Sequence, residues 1–370
     1  MAVLQNIQTG QVTLSGTSVD ATPSSYTPAQ SILIFSYRGG SNNAARGSVK
    51  GLKVNGTTLR WLRNSSGGTA PIIEWQLMEF DADVSVEDIS ITYTATNNTE
   101  TATISAVTLA RAFIVPGGHQ TVGGTALGDD DHTKWQYNST TEIQIDRATN
   151  RNLAHSVEGQ IVDFIGCSVQ ELDHTVSSGQ TTTDTISSVT VGDTLIFASN
   201  TMSNVASGAL FDRSSWRHRL QDATTVEFLR EIGNGAVFNW THYVIEFSDG
   251  TTLQQGLHTL ANSDASDPIT LSALVIAEST ACLGTGRQWA CSHGSNDNND
   301  DDTRDAFLTS VLTATTTMTV TRDTQTGKCE LYFQVPEWNV TAAAANDEEF
   351  AATSPSFSQP VLDKDEVVPY

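Results

Sequence analysis

The sequence predicts an all-β protein: four tandem small antiparallel β-sandwich repeats plus an extended C-terminal tail. Three observations carry this. Of 370 residues, 38% are apolar and 16% charged, and Thr, Ser, Asn and Gly fill the balance, which suits short strands and turns better than helices. Runs such as Val226-Glu227-Phe228 alternate apolar and polar residues, turning one strand face inward and the other to water. The same pattern also occurs four times along the chain, and a recurrence of this kind defines the fold before any single element does.

Each copy opens on an apolar residue followed by an amide or acid: Leu4-Gln5, Val86-Glu87, Val169-Gln170 and Leu253-Gln254. A serine-containing anchor and an apolar run follow: Ser24-Ser25-Tyr26 with Ile32-Leu33-Ile34-Phe35, then Ile104-Ser105 with Phe113-Ile114-Val115. The later copies read Ile186-Ser187 with Leu195-Ile196-Phe197, and Leu271-Ser272 with Ala281-Cys282-Leu283. A Thr-Thr pair then leads to an arginine, as in Thr57-Thr58 to Arg63, Thr140-Thr141 to Arg147, Thr224-Thr225 to Arg230 and Thr316-Thr317 to Arg322. The second copy has one residue more in this stretch, as a β-bulge would. Each copy closes on an acid and an aromatic: Trp75 to Phe80 (WQLMEF), Gly159 to Phe164 (GQIVDF), His242 to Phe247 (HYVIEF) and Phe333 to Trp338 (FQVPEW). The closing aromatics lie 84, 83 and 91 residues apart.

These anchors set repeats at 1–82, 83–166, 167–250 and 251–340, each with about seven short strands, and an extended tail at 341–370. A period above 80 residues is too long for a solenoid rung or a propeller blade, so beads on a string are expected. The three-residue linkers (Asp81-Ala82-Asp83, Ile165-Gly166-Cys167, Ser248-Asp249-Gly250) would hold neighbours semi-rigidly. Pro336 removes a ladder donor and marks the last strand of the fourth copy as an edge.

Charge limits the partners. Forty-two acidic against nineteen basic residues give a net charge of −23, the wrong sign for a nucleic-acid surface or a polybasic membrane tether. No run of about 18 apolar residues is present to span a bilayer, and Met1 to Asn6 lack the pattern of a signal peptide. The four cysteines (Cys167, Cys282, Cys291, Cys329) are too few for a disulfide scaffold and lack zinc spacing. Cys282 and Cys291 could pair across a loop.

Catalytic groups are usually single whereas structural ones recur with the fold, so the repeat acts as a filter. Arg63, Arg147, Arg230 and Arg322 precede Glu79, Asp163, Glu246 and Glu337 by 16, 16, 16 and 15 residues. The reading favoured is an Arg–carboxylate pair, or a cation–π contact with the adjacent aromatic, that pins two strands in every copy; four ligand sites are the alternative. Nucleophile elbows, zinc-protease helices and phosphate loops are missing, so no enzymatic activity is expected. Two acidic loops, Asp129-Asp130-Asp131 and the run containing Asp297, Asp300, Asp301 and Asp302, offer oxygen ligands of the kind that hold Ca²⁺, although the second departs from the EF-hand template. A solvated acidic loop is the simpler reading and the one favoured. His218 between Arg217 and Arg219 forms a basic island that could face an acidic partner.

The run Leu220-Gln221-Asp222-Ala223-Thr224-Thr225-Val226-Glu227-Phe228-Leu229-Arg230 and the closing Trp75-Gln76-Leu77-Met78-Glu79-Phe80 resemble repeats in virion structural proteins of tailed bacteriophages. The resemblance covers everything but the tail and is weakest in the fourth copy. It implies a non-enzymatic virion component, assembled in a host cytoplasm: a capsid- or neck-associated decoration protein acting by multivalent contact with other virion proteins, and homo-oligomeric. The alternatives are a tail-fibre protein recognising host glycans, for which Trp216, Trp240 and Trp289 are candidate contacts, although Trp240 lies in a strand pattern that suits the core, and a cellular surface adhesin.

Overall fold

The computed structural model describes residues 1–39, 44–121, 132–149, 154–176, 181–203, 216–230, 237–261, 263–282, 291–293, 307–323 and 328–340. The 341–370 tail and both acidic loops lie outside these residues. The structure is all-β, made of several small antiparallel sheets. Between residues 1 and 82 run β1 (Leu4–Thr13), β2 (Ser18–Ala21), β3 (Ser31–Arg38), β4 (Lys50–Asn55), β5 (Thr58–Leu62) and β6 (Ile72–Phe80). Between 83 and 166 run β7 (Val84–Tyr93), β8 (Thr99–Thr103), β9 (Ala112–Thr121), β10 (Lys134–Ser139), β11 (Glu142–Asp146) and β12 (His155–Phe164). Then come β13 (Cys167–Val176), β14 (Thr181–Thr185), β15 (Thr194–Ser203), β16 (Trp216–Asp222), β17 (Thr225–Arg230) and β18 (Val237–Phe247). The last set is β19 (Thr252–Leu260), β20 (Ser266–Thr270), β21 (Cys291–His293), β22 (Thr309–Ala314), β23 (Thr317–Thr321) and β24 (Cys329–Glu337). Among the described residues there are thus six strands per stretch rather than the seven expected.

The strands pair in one scheme. The closing strand lies between the first and third in β1-β6-β3, β13-β18-β15 and β19-β24-β21; the fifth lies between the second and fourth in β10-β11-β8, β14-β17-β16 and β20-β23-β22. The corresponding sets β2-β5-β4 and β9-β12-β7 are joined edge to edge into one six-stranded sheet through the pair Lys50↔Gly118. Gly118 has φ +87°, and a Cβ there would sit 2.2 Å from the Val49 carbonyl oxygen, so only glycine permits this approach.

Two expectations about strands are corrected. A register shift precedes the β4–β5, β10–β11, β16–β17 and β22–β23 turns alike, so a bulge is not peculiar to the second copy. Its extra residue is a displaced Thr-Thr pair, since β11 begins at Glu142 where the other fifth strands begin at Thr. Pro336 is not on an edge strand, because β24 is the middle of its sheet. Its carbonyl still accepts from the Thr280 N–H at 3.1 Å, so one ladder bond is missing and the strand holds.

The larger correction concerns the beads. Apolar side chains do not gather into one core per stretch: one buried cluster draws on all four, the other on three. At the centre the four closing aromatics meet edge to face. Phe80–Phe164 ring centroids are 5.3 Å apart, Phe164–Phe247 5.4 Å, Phe247–Trp338 5.5 Å and Trp338–Phe80 5.3 Å, which closes a cycle. Alternate residues of β3 serve the two clusters: Ile32 and Ile34 belong to the central one, Leu33, Phe35 and Tyr37 to the other. β3, β9, β15 and the closing strands are therefore buried on both faces, whereas β5, β11 and β23 alternate buried and half-buried positions along one face.

Directly paired positions on the first and closing strands trade volume. Gly10 faces Trp75, Ile89 faces Gly159, Leu172 faces His242 and Gly256 faces Phe333. A Cβ on Gly10 would lie 2.5 Å from the Trp75 ring; a large ring on one strand requires a small partner opposite.

Candidate functional site

Among the described residues the recurring arginines and acids are not seen to pair with each other. Arg63, 1% exposed, donates to the carbonyl oxygens of Gly16 (2.8 Å), Ser15 (3.1 Å), Arg46 and Gly67. Arg147 donates to those of Asn97 and Thr94, both at 2.8 Å, and lies 4.8 Å over the Tyr93 ring. Arg322 donates to Asp264 (2.8 Å) and Ala261 (2.6 Å). Each gathers the orphan carbonyls of the turn after the first strand. The Arg230 side chain lies outside the described residues. The acids serve another turn: Glu79, Asp163, Glu246 and Glu337 accept the backbone N–H of Thr27, Thr108, Thr190 and Val275. Those residues precede the 3₁₀ turns Pro28–Gln30, Leu109–Arg111, Val191–Asp193 and Ile276–Glu278. Asp163 also holds Arg111. Amides or acids on the first strands clasp the serine anchors: Gln8, rather than the Gln5 of the expected opening pair, with Ser24, Gln170 with Ser187 and Gln254 with Ser272 each exchange two bonds, and Glu87 accepts from Ser105.

Polar chemistry of a second kind sits where stretches adjoin. The residue four before the closing aromatic is Gln76, Gln160, Tyr243 or Gln334. Gln160 makes two bonds to the Leu33 backbone (2.8 and 2.7 Å), Gln334 two to Ile196 (2.8 and 3.0 Å) and Gln76 two to Ala281 (2.8 and 2.7 Å). Tyr243 instead donates to the Trp135 carbonyl or Glu171. The Gln160 and Gln334 clasps each satisfy a buried third-strand peptide of the adjoining stretch, and the Gln76 clasp satisfies Ala281, between 1–82 and 251–340. A cation at the start of the fourth strand crosses the same seams: Lys50 to Glu158 at 2.8 Å, Lys134 to Asp173 at 3.1 Å and Arg217 to Glu330 at 3.2 Å. At the remaining seam the matching residue is Thr309, which accepts from Arg38 at 3.3 Å. Lys53, whose ammonium is pushed below its ordinary range by burial, reaches Asp88 at 3.2 Å.

The basic island is accordingly not a surface for a partner. Arg217 and His218 are buried, and Arg217 and Arg219 pair with Glu227. Sequence reading missed a hydroxyl–imidazole–carboxylate array: Thr182 Oγ1 lies 3.3 Å from His174 Nε2, and His174 Nδ1 2.6 Å from Asp184. The matching β19 position carries His258, which pairs at 2.9 Å with Asp267 where Thr182 would be. The recurrence without the hydroxyl makes both histidines fasteners between the two sheets, and His174 stacks on Phe228 with centroids 5.4 Å apart.

Asp129, Asp130, Asp131, Asp297, Asp300, Asp301 and Asp302, proposed for Ca²⁺, lie outside the described residues, as does Trp289; Trp240 is buried. Cys282 carries a free thiol, so it does not pair with Cys291; Cys167 is free as well, and Cys329 is disulfide-bonded. Among the described residues no group of three or more His, Cys, Asp and Glu side chains is arranged to hold a metal. The chain matches no family model and no curated protein.

Proposed function

We propose that the chain is a non-enzymatic structural component of a tailed-phage virion. In this reading four equivalent six-stranded β-sandwich units close into a ring rather than a string. A capsid- or neck-associated decoration protein, homo-oligomeric and contacting other virion proteins, is the role that fits best. The observation that carries it is where the polar chemistry goes: the recurring arginines, acids and amides fasten turns and seams within the chain. A rigid, strongly acidic disc made this way would act by shape and multivalent contact. Mass spectrometry and immuno-gold labelling of purified particles test the proposal. Dense label over the head supports decoration, whereas label at the neck or tail tip moves the role to a collar or a receptor-binding fibre. Absence from every particle overturns the virion reading in favour of a cellular adhesin.

A further inference from the structure

At one seam the fourth-strand cation of the other three is replaced by Thr309, and that seam contains a cavity. At the seam between 1–82 and 83–166, Glu158 accepts from Ser90 Oγ at 2.9 Å and Lys50 Nζ at 2.8 Å. The counterpart of Glu158, six residues before its closing aromatic, is Glu74. Gln11, placed as Ser90 is, donates to Glu74. The position corresponding to Lys50 is Thr309, whose hydroxyl donates to the Thr321 carbonyl. Among the described residues no ammonium or guanidinium lies within ion-pair reach of Glu74. Beside it is a cavity of about 240 Å³, bounded by Gln11, Glu74 and Gln76 on one side and Ile276, Val311 and Leu312 on the other.

We propose that this cavity binds the ammonium or guanidinium group of a ligand, with Glu74 as counter-ion and the Ile276, Val311 and Leu312 wall against its aliphatic stem. The chemistry matches what the molecule does for itself at Lys50: a carboxylate half-withdrawn from water gains most from a cation that brings its own hydrogen-bond donors. Apolar walls next to a half-buried acid suit a long basic side chain, whose methylenes pack while its head pairs. Burial pushes the Glu74 carboxyl above its ordinary range, while Gln11 and the more distant Arg38 pull it down, so the acid is under-compensated as it stands. The cation arrives either as a free small amine or as a lysine or arginine side chain of a neighbouring protein. The inference does not depend on the virion reading.

Calorimetric titration of the full chain with agmatine, and with a capped Gly-Arg-Gly peptide, tests the site and separates the two sources. Saturable binding is expected, weakened at least about tenfold in Glu74→Gln. Preference for the peptide assigns the site to a protein side chain, and preference for agmatine to a free amine. Thr309→Lys supplies the cation in cis, as Lys50 does, and is expected to abolish binding and raise the Tm. No saturation with either probe up to about 10 mM, or equal affinity in wild type and Glu74→Gln, overturns the proposal.

Discussion

At the scale of single residues, His242 shows how a buried group ties stability to pH. It is fully buried on β18, neither ring nitrogen has a hydrogen-bond partner among the described residues, and its ring centroid lies 4.3 Å from that of Phe228 and 6.2 Å from that of His218. Burial holds its imidazole well below the ordinary 6.5, with His218, His174 and Lys134 adding repulsion. The unfolded chain therefore takes up a proton that the folded chain refuses. Stability is full above about pH 6.5 and falls as pH drops below it. His242→Phe, which copies Phe333 at the matching place, should flatten this loss. Chemical denaturation at about pH 5 and pH 8 should show the variant gaining at least ~1 kcal/mol on wild type at the lower pH only; parallel curves would refute it. Arg63 gives a second test. Arg63→Met strands four half-buried carbonyls and should cost about 1–3 kcal/mol in urea denaturation. The sequence reading found the arginines and acids by their spacing but misassigned their partners, because backbone carbonyls and N–H groups leave no mark in a sequence.

At the scale of elements, the strands were legible and their surroundings were not. Alternation located the fifth strands, which face the core on one side only. The runs Ile32-Leu33-Ile34-Phe35 and Leu195-Ile196-Phe197 do not alternate, and an unbroken apolar run signals burial on both faces. An isolated small sandwich cannot supply that, so these runs already argued against beads. The seam glutamines stood in the closing motifs too, at Gln76, Gln160 and Gln334, but an amide inside an apolar strand gains meaning only once the peptide it clasps is known. Gln160→Leu should remove both bonds to Leu33 and leave two buried backbone groups unpaired, costing about 2–5 kcal/mol. Gly118→Ala should part the β4–β9 join. Amide exchange at Lys50 and its neighbours would then quicken more than at β24, and uniform protection would contradict the assigned contact.

For the whole molecule, shared clusters and the central aromatics make the stretches one cooperative body. Calorimetry should show a single transition where separate beads would show several. Phe164 touches Phe80, Phe247 and Trp338, with centroids 5.3, 5.4 and 6.4 Å away. Phe164→Ala should therefore lower stability by about 3–5 kcal/mol and move that one transition as a unit. A shift confined to part of the melting curve would restore the string. The all-β character and the recurrence of the strands could be read from the anchors, although six strands rather than about seven lie in each stretch among the described residues. The closure could not, because nothing in a repeat's own sequence says whether the last copy meets the first.

The seam between 1–82 and 251–340 is made like those between consecutive stretches: Gln76 clasps Ala281, Leu4 N–H bonds the Asn339 carbonyl at 2.9 Å, and Phe80 packs on Trp338. That seam has no linker, yet it holds. Peptide connectivity is thus dispensable to the assembly at any single linker. A protease cut within Ser248-Asp249-Gly250 would leave two fragments that still migrate together in native gels and separate only when denatured, so that an intact mass on a sizing column says nothing about an intact chain.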